Sequence, residues 1–434
     1  TESLRAFKRA IALDSDNYLA YEHLAQIYLW GAADRPWMVL LPGDSITLTK
    51  DGGPGPGLDS LPLVHAIRRA RAQGVAGARE WLTHQPDNVH AQNALIFALS
   101  AAHQTDAAIG EIDRLVRAPE GHGRVDLPFI RVRVLGEQGE ITEAAKTVAR
   151  ALDTVDARRF DPDRLPFATV GEVSNGANML AYLGKVDLAS RNLDLAAQIS
   201  AAWMPGAIGS QIVGERTLWG HLLQSHLFTA LGAPAVKLRP IWEEVADSAR
   251  RTAKQARGHV IAFGWAAALG LFLQNPKDAT PLNELQTLRG WAPPPGLMAL
   301  IALQRGDSVE AKRLLQLPDS LSDKASIEGY SQWQGYRQMI AAHAWHELGD
   351  DERALAELRA FEPSRLSSTG FDVRWLLVGQ ARFLRGEIYE RQGKRELARQ
   401  QYEQVLAQWE DADAVLDPIV GAVKARLAEL ASRA

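Results

Sequence analysis

The chain has 434 residues, and its 48 Lys and Arg against 52 Asp and Glu leave a formal charge of only −4. This near-neutral balance excludes the large basic excess that is typical of nucleic-acid-binding proteins. There are no cysteines, which excludes disulfides, thiolate nucleophiles and cysteine metal sites. A chain without cysteine is compatible with a cytoplasmic or an extracytoplasmic compartment, so its localisation is left open.

Apolar residues recur with helical spacing from the start of the chain. Leu4, Phe7 and Ile11 share one face of a first predicted helix, and a second runs through Leu19 and Ile27. Strand-like alternation is nearly absent, which predicts an all-α fold rather than an α/β sheet. No apolar run reaches the ~20 residues of a membrane-spanning helix, so we expect a soluble protein without a membrane span.

Residues 31–60 interrupt the first predicted helical hairpin with a segment rich in glycine and proline. This density of helix-breaking residues predicts a non-helical insertion. Within it, the alternation from Ser45 to Thr49 before Asp51 and Gly52 predicts a small β-hairpin. A long loop in a compact repeat array is either a tolerated surface insertion or a functional segment that contacts a partner or plugs the groove, and the sequence leaves these interpretations open.

The helices repeat, and each copy has the same five key positions. A small residue is followed by a bulky residue, a turn residue, an alanine five positions after the turn, and a second bulky residue. The copies are Val132, Leu135, Gly139, Ala144 and Val148; Ala177, Leu180, Gly184, Ala189 and Leu193; Ala299, Ala302, Gly306, Ala311 and Leu315; Ala342, Trp345, Gly349, Ala354 and Leu358; and Gly386, Tyr389, Gly393, Ala398 and Tyr402.

This pattern has a physical explanation in a hairpin of two helices. The small residues let the helices approach closely, and the turn glycine accepts a left-handed conformation at the end of the first helix. Asp187, Asp307 and Asp350 follow three of the turns and are predicted to cap the second helices. One hairpin is too thin to bury its own apolar face, so stacked copies are expected to share a continuous core.

The pattern resembles the tetratricopeptide (TPR) repeat family, most closely at Gly386, Tyr389, Gly393, Ala398 and Tyr402. The resemblance implies an all-α, TPR-like α-solenoid of stacked antiparallel helix hairpins that spans residues 1–434, with a C-terminal capping helix over residues 414–434. Turn-to-turn distances of 43 to 45 residues between Gly139 and Gly184, and from Gly306 to Gly393, exceed the ~34 of a plain TPR. We therefore expect an irregular superhelix.

The two ends of the chain are also similar to the TPR arms of large bacterial regulators, in which the arm accompanies a serine/threonine kinase or a transcriptional activator. No kinase, cyclase or DNA-binding motif lies in these residues. That resemblance implies a sensor or scaffold part of such a regulator, which remains an alternative to an independent scaffold.

Candidate chemistry is sparse. His343 and His346 lie at i and i+3 on one predicted helix, but no third ligand is evident, so we predict no metal site. No phosphate-binding loop and no serine-hydrolase motif occurs. The sequence therefore predicts neither an enzyme nor a cofactor, and an enzyme or metal protein on a helical scaffold is the weaker alternative.

The favoured interpretation is a scaffold that binds a protein, as a peptide or helix, in a concave groove formed by the first helix of each hairpin. Nucleic acid is not an expected partner, and the oligomeric state is open. On α-helical positions alone, a stripe such as Tyr336, Met339 and His343 is either core or groove. The predicted partner-binding residues are Tyr182, Trp219, His226, Tyr336, Met339, His343, Phe383, Glu387 and Arg391.

Overall fold

A computed structural model gives the fold and divides the chain into two compact units, Thr1–Glu172 and Val173–Ala434, which we call unit 1 and unit 2. The prediction of a single array over 1–434 concerns how these units join and stays a prediction. The structure describes residues 2–32, 38–41, 45–48, 61–118, 124–154, 173, 176–177, 179–203, 243, 280, 295–317, 327–362 and 374–432.

Unit 1 is built from helical hairpins, as predicted. The helices are α1 (Glu2–Leu13), α2 (Tyr18–Ala32), α3 (Leu61–His84), α4 (Val89–Ala101), α5 (Thr105–Arg117), α6 (Leu127–Glu137) and α7 (Ile141–Thr154). Helix α2 packs against α3, α4 against α5, and α6 against α7, while α1 packs on α2.

A small antiparallel sheet lies between α2 and α3, with strands β1 (Met38–Leu41) and β2 (Ser45–Leu48). The strand at Ser45 was predicted, but its partner precedes it instead of following Asp51 and Gly52. The partner is an apolar run in which only Val39 is a strongly strand-forming residue type. The run is too short for alternation to reveal, and it lies against α2 and α3. Helix α2 also continues through Ala32, so the first two residues of the 31–60 segment are helical.

Unit 2 repeats the hairpin architecture. The helices are α8 (Val186–Trp203), α9 (Pro295–Gln304), α10 (Ser308–Leu315), α11 (Ile327–Glu347), α12 (Asp351–Leu358), α13 (Arg374–Arg391), α14 (Arg395–Gln408) and α15 (Asp417–Ser432). Helix α9 packs against α10, α11 against α12, and α13 against α14, and α15 packs on α14. The described parts of both units confirm the predicted all-α, solenoid-type fold.

All five predicted turn glycines adopt the left-handed conformation, with φ between +71° and +82°. In each turn the N–H of the residue after the glycine donates to the carbonyl five positions earlier, for example Lys394 to Tyr389 at 2.8 Å. This is the Schellman arrangement, which ends a helix and reverses the chain. The alanines five positions after these turns are all 0% exposed, so the two helices of each hairpin meet there as predicted.

A sixth copy was missed because its turn residue is not glycine. His103 ends α4 with φ of +58°, and the N–H of Gln104 donates to the carbonyl of Leu99 at 2.9 Å. Ala108, five positions after the turn, is fully buried. Histidine is among the few non-glycine residues that tolerate this conformation, so the turn forms without the glycine signal.

Two of the three predicted caps are present. Asp307 accepts from the N–H of Glu310 at 2.9 Å, and Asp350 accepts from the N–H of Arg353 at 3.1 Å. The prediction for Asp187 was wrong, because Asp187 lies inside α8 and its own N–H donates to a distant residue.

Helix α8 is capped from the other end of unit 2. The Oδ2 atom of Asp413 accepts from the N–H of Asp187 at 2.9 Å. The N–H of Asp413 also donates to the carbonyl of Gly184 at 3.0 Å. The carbonyl of Tyr182 accepts from Gln408 at 2.7 Å and from the indole of Trp409 at 3.1 Å. Segments 182–187 and 408–413, which we call the closure contact, therefore hold together parts of unit 2 that are far apart in sequence.

Candidate functional site

The predicted groove residues of unit 2 fall into different environments. Met339 is only 5% exposed and is a core residue, which corrects the expectation of an exposed stripe at that position. The reason is that α11 packs against α9, α12 and α13 together, so more of its surface is buried than one hairpin seam predicts. Tyr336 lies on the same helix, and Trp219 and His226 lie outside the described residues.

Two aromatic residues that were predicted to contact a partner, Tyr182 and Phe383, pack against other aromatic residues of unit 2. The ring of Tyr182 meets Trp375 edge-on, with centroids 5.3 Å apart, next to the closure contact. Phe383 packs at 5.9 Å from the fully buried ring of Tyr402. The side chains of Tyr182 and Phe383 are partly exposed. Their contacts within unit 2 give them a structural role as well.

Three predicted contact residues of unit 2 interact with the same pair of side chains, His346 and Asp351. They are His343, Glu387 and Arg391. The guanidinium of Arg391 donates to the carboxylate of Asp351, and His346 Nδ1 lies 2.9 Å from the same carboxylate. Burial opposes ionisation of Asp351, but the hydrogen bonds from Arg391 and His346 lower its pKa overall. Helices α11, α12 and α13 thus meet at one charged cluster.

The surroundings of this cluster favour the neutral forms of two side chains beside it, Glu387 and His343. Burial raises the pKa of Glu387, although His346 and Arg426 oppose that effect. The pKa of His343 is lowered to about 4, first by the protein atoms that surround the ring and then by nearby His346. The His343 side chain is nevertheless exposed. Among the described residues, no group of three or more His, Asp or Glu is arranged to hold a metal.

Unit 1 contains a half-open cavity of about 170 Å³ that the sequence did not predict, and we call it the unit 1 pocket. It lies between α2, α3, α4 and α6, and its accessible wall is mostly apolar. The lining residues are Glu22, Ala25, Gln26, Tyr28, Leu29, Ala32, Ala70, Arg71, Gly74, Trp81, His90, Asn93, Ala94, Phe97, Ala98, Ala101 and Arg133.

Small side chains create this space. Ala25 on α2 and Ala94, Ala98 and Ala101 on α4 line the pocket and are all half-buried. The three α4 alanines are spaced at i, i+4 and i+7, which places them on one face of the helix. Where larger residues would have filled the seam between the helices, the alanines leave a recess that reaches solvent.

Polar side chains deep in the pocket wall are already engaged. The guanidinium of Arg133 lies 4.2 Å from the ring centre of Phe97 and donates to Glu137 at 3.0 Å. Asn93 accepts from Arg124 at 2.6 Å, in a network that ties α4 to the start of α6. Arg124 itself is paired with Asp126, and both side chains are at most 4% exposed. The interior of the pocket is therefore apolar in character.

The rim of the pocket carries one accessible carboxylate. The Oε1 atom of Glu22 lies 3.3 Å from Nδ1 of His90, with 30% and 34% of the respective side chains exposed. On the far side of the pocket, Arg71 Nε donates to the carbonyl of Ala32, the last residue of α2. Among the described residues that line the pocket, His90 is thus the ion-pair partner of Glu22.

No residue of this pocket was among the predicted partner contacts. The alanine stripe on α4 was the available signal, but small residues at helical spacing equally mark a closed seam, as they do at the alanines after the turns. Only the relative placement of α2, α4 and α6 separates a recess from a seam.

None of the described helices is long and apolar enough to cross a membrane.

Comparisons with known proteins find likeness in solved structures alone. No protein-family model and no curated protein matches the chain. The anaphase-promoting complex hetero-tetramer Cut9–Hcn1 is 11% identical over 86% of this chain and 78% of that one, with a TM-score of 0.34.

A tetratricopeptide repeat protein from Parabacteroides merdae ATCC 43184 is 13% identical over 83% and 98% of the two chains, with a TM-score of 0.27. The structure of Naa15/Naa10 bound to HypK-THB gives 16% identity over 99% of this chain and 66% of that one, with a TM-score of 0.24. At these values the matches carry no argument about a partner. The repeated hairpins, left-handed turns and buried alanine seams of the described residues make the chain a helical-repeat protein.

Proposed function

We propose that this helical-repeat scaffold is non-catalytic and binds a partner peptide or helix, and that the unit 1 pocket receives part of that partner. The observation that supports this proposal is the half-open, mostly apolar cavity of about 170 Å³ between α2, α3, α4 and α6. Concave apolar sites with a few polar groups at the edge are the usual places for a ligand to bind. In unit 2, His343, Glu387 and Arg391 remain proposed contacts.

The pocket suits an anchoring side chain better than catalysis. Anchors at interfaces sit in recesses from which water is excluded, and a few of them supply most of the binding energy. Catalysis needs titratable groups that converge on a reacting atom. In the pocket, Asn93 and Arg133 are held by other protein groups, so they are not placed to react.

Filling the pocket tests the proposal. Ala94→Leu and Ala25→Leu each place a larger side chain in the cavity, from α4 and from α2 respectively. Ala107→Leu, at an exposed position of α5, is the matched control. A thermal melt first confirms that each purified protein is folded. Each protein is then used to capture binding partners from a cell extract of the source organism.

We expect at least one protein to be captured by the wild type and by Ala107→Leu but lost with both pocket variants. Truncating or blocking a hot spot typically costs at least about 2 kcal/mol, or roughly thirtyfold in affinity. If folded pocket variants capture the same proteins as the wild type, the pocket is not the binding site.

A further inference from the structure

The size of the unit 1 pocket limits what can enter it. A cavity of about 150 Å³ in another protein holds one benzene molecule, and this one measures about 170 Å³. One turn of a helix, roughly 10–12 Å wide and 5.4 Å long, is too large. The pocket therefore admits a single ring or branched aliphatic side chain, while the rest of the partner lies across the rim.

The residues of the pocket wall favour an apolar side chain of the partner over a polar one. Ala25, Ala94 and Ala98 offer no hydrogen bonds from their side chains, and the deeper polar groups of Asn93 and Arg133 are already engaged. A polar group that entered here would lose water without gaining a partner, which costs free energy. An apolar side chain pays no such penalty and gains from burial.

The charged residues at the rim of the pocket determine which charge is favoured next to the apolar side chain of the partner. Arg133 is neutralised by Glu137 at 3.0 Å, and Arg71 donates to the carbonyl at the end of α2, where the helix dipole is negative. Glu22 is the one carboxylate among the pocket-lining residues that the structure describes, and its Oε1 atom lies 3.3 Å from Nδ1 of His90. Glu22 therefore places a partly exposed negative charge at the rim, where it attracts a cation.

We infer that the unit 1 pocket recognises a partner segment in which a Phe or Leu side chain lies beside a Lys or Arg. The apolar side chain fills the recess between α2 and α4, and the basic side chain pairs with Glu22. This inference rests on the proposed function, because it names the chemistry of the partner that the same pocket binds.

A random 12-residue peptide library displayed on phage is the probe for this inference. It would be selected on the full wild-type chain, and the enriched peptides would then be synthesised and titrated by fluorescence anisotropy. The variants are Ala94→Leu and Ala25→Leu to fill the pocket, and Glu22→Gln to remove the rim charge. Controls are Ala107→Leu and Glu80→Gln, both at exposed positions of unit 1.

We expect the enriched peptides to share a Phe or Leu beside a basic residue. Their affinity should fall at least tenfold in either pocket variant and about two- to fivefold with Glu22→Gln, as for an exposed ion pair. The two control variants should bind like the wild type.

Three other outcomes separate the two proposals. Peptides that depend on the pocket but lack basic enrichment, and bind Glu22→Gln as well as the wild type, overturn this inference and leave the proposed function standing. Enrichment of acidic peptides also overturns the inference. If no enriched peptide loses affinity in the pocket variants, the proposed function fails together with it.

Discussion

Individual residues decide how closely the helices of this protein approach. Gly386 on α13 faces the ring of Tyr402 on α14, which is fully buried. A Cβ atom at Gly386 would lie less than 3.0 Å from carbon atoms of that ring. Because the ring is enclosed, it has no space to move away, and the contact requires glycine.

Gly386→Ala is therefore expected to lower the free energy of unfolding. Overpacking typically costs about 1–3 kcal/mol, which exceeds the roughly 0.5–1 kcal/mol gained by replacing a helical glycine with alanine. The matched control is Gly421→Ala on α15, where a Cβ meets nothing within 4 Å, and there we expect a gain. Urea unfolding of both variants checks the prediction; a more stable Gly386→Ala protein would contradict this packing.

Acid should weaken unit 2 partly through His343. Its pKa in the folded chain is about 4, below the ordinary 6.5, so the unfolded chain takes up this proton first as the pH falls. The stabilising effect is complete above pH 6.5 and is lost as the pH falls towards 4.

We therefore expect the free energy of unfolding of His343→Gln to fall less steeply between pH 6.5 and 4 than that of the wild type. Urea unfolding followed by tryptophan fluorescence measures the difference at each pH. Above pH 7 the gap between the two proteins should be constant. Parallel curves down to pH 4 would show that the surroundings of His343 do not lower its pKa.

At the scale of elements, the turns show which local signals the sequence carries. Each turn residue at Gly139, Gly184, Gly306, Gly349 and Gly393 was predicted from local spacing and has positive φ. Such turns depend on a few neighbouring residues, so a local pattern is sufficient. The turn at His103 and the strand Met38–Leu41 escaped prediction, because histidine gives no comparable signal and four apolar residues fit a helix or a strand.

Capping differs between two otherwise equivalent turns. Asp350 and Lys394 hold similar N-cap backbone angles, with φ and ψ of −92° and 74° against −85° and 64°, but only Asp350 provides a side-chain hydrogen bond. Lys394→Asn should therefore stabilise the chain and Asp350→Ala should destabilise it, each by about 0.5–2 kcal/mol. Thermal melts of the two variants measure both changes. If neither changes the melting temperature, the side-chain caps contribute nothing.

At the scale of the whole molecule, the closure contact sets unit 2 apart from an array in which each repeat touches only its neighbours. Gly184 combines φ of +75° with a position where a Cβ would lie less than 3.0 Å from Ala412 and Leu416. Gly306 has a similar φ of +80°, but a Cβ there meets nothing within 4 Å.

This pair of glycines separates backbone strain from the closure contact. Gly306→Ala should cost about 1–2 kcal/mol from strain alone and should speed hydrogen exchange mainly in α9 and α10. Gly184→Ala should also speed exchange in residues 408–416, although these lie far away in sequence. Hydrogen–deuterium exchange with mass spectrometry makes the comparison. Unchanged exchange at 408–416 in Gly184→Ala would show that the two segments are not coupled.

The site was harder to predict than the fold, for a reason that belongs to this scale. Met339 and His343 lie one helical turn apart, yet one is core and the other is accessible, because neighbouring helices cover them differently. The alanines of the unit 1 pocket look in sequence like those of a closed seam. Long-range placement of helices decides both cases, and a single sequence carries no local signal for it.

The proposed binding mode places an apolar side chain of a partner in the unit 1 pocket. Alanine-methyl NMR of the full chain, titrated with an enriched phenylalanine-containing peptide, tests it most directly. If the phenylalanine ring enters the pocket, we expect ring-induced shifts of the methyl signals that line it, while the methyl signal of Ala107 stays unchanged. The pocket methyl groups are those of Ala25, Ala94, Ala98 and Ala101. Saturable shifts confined to other alanines, or none at the four pocket methyl groups when the peptide is bound, would contradict it.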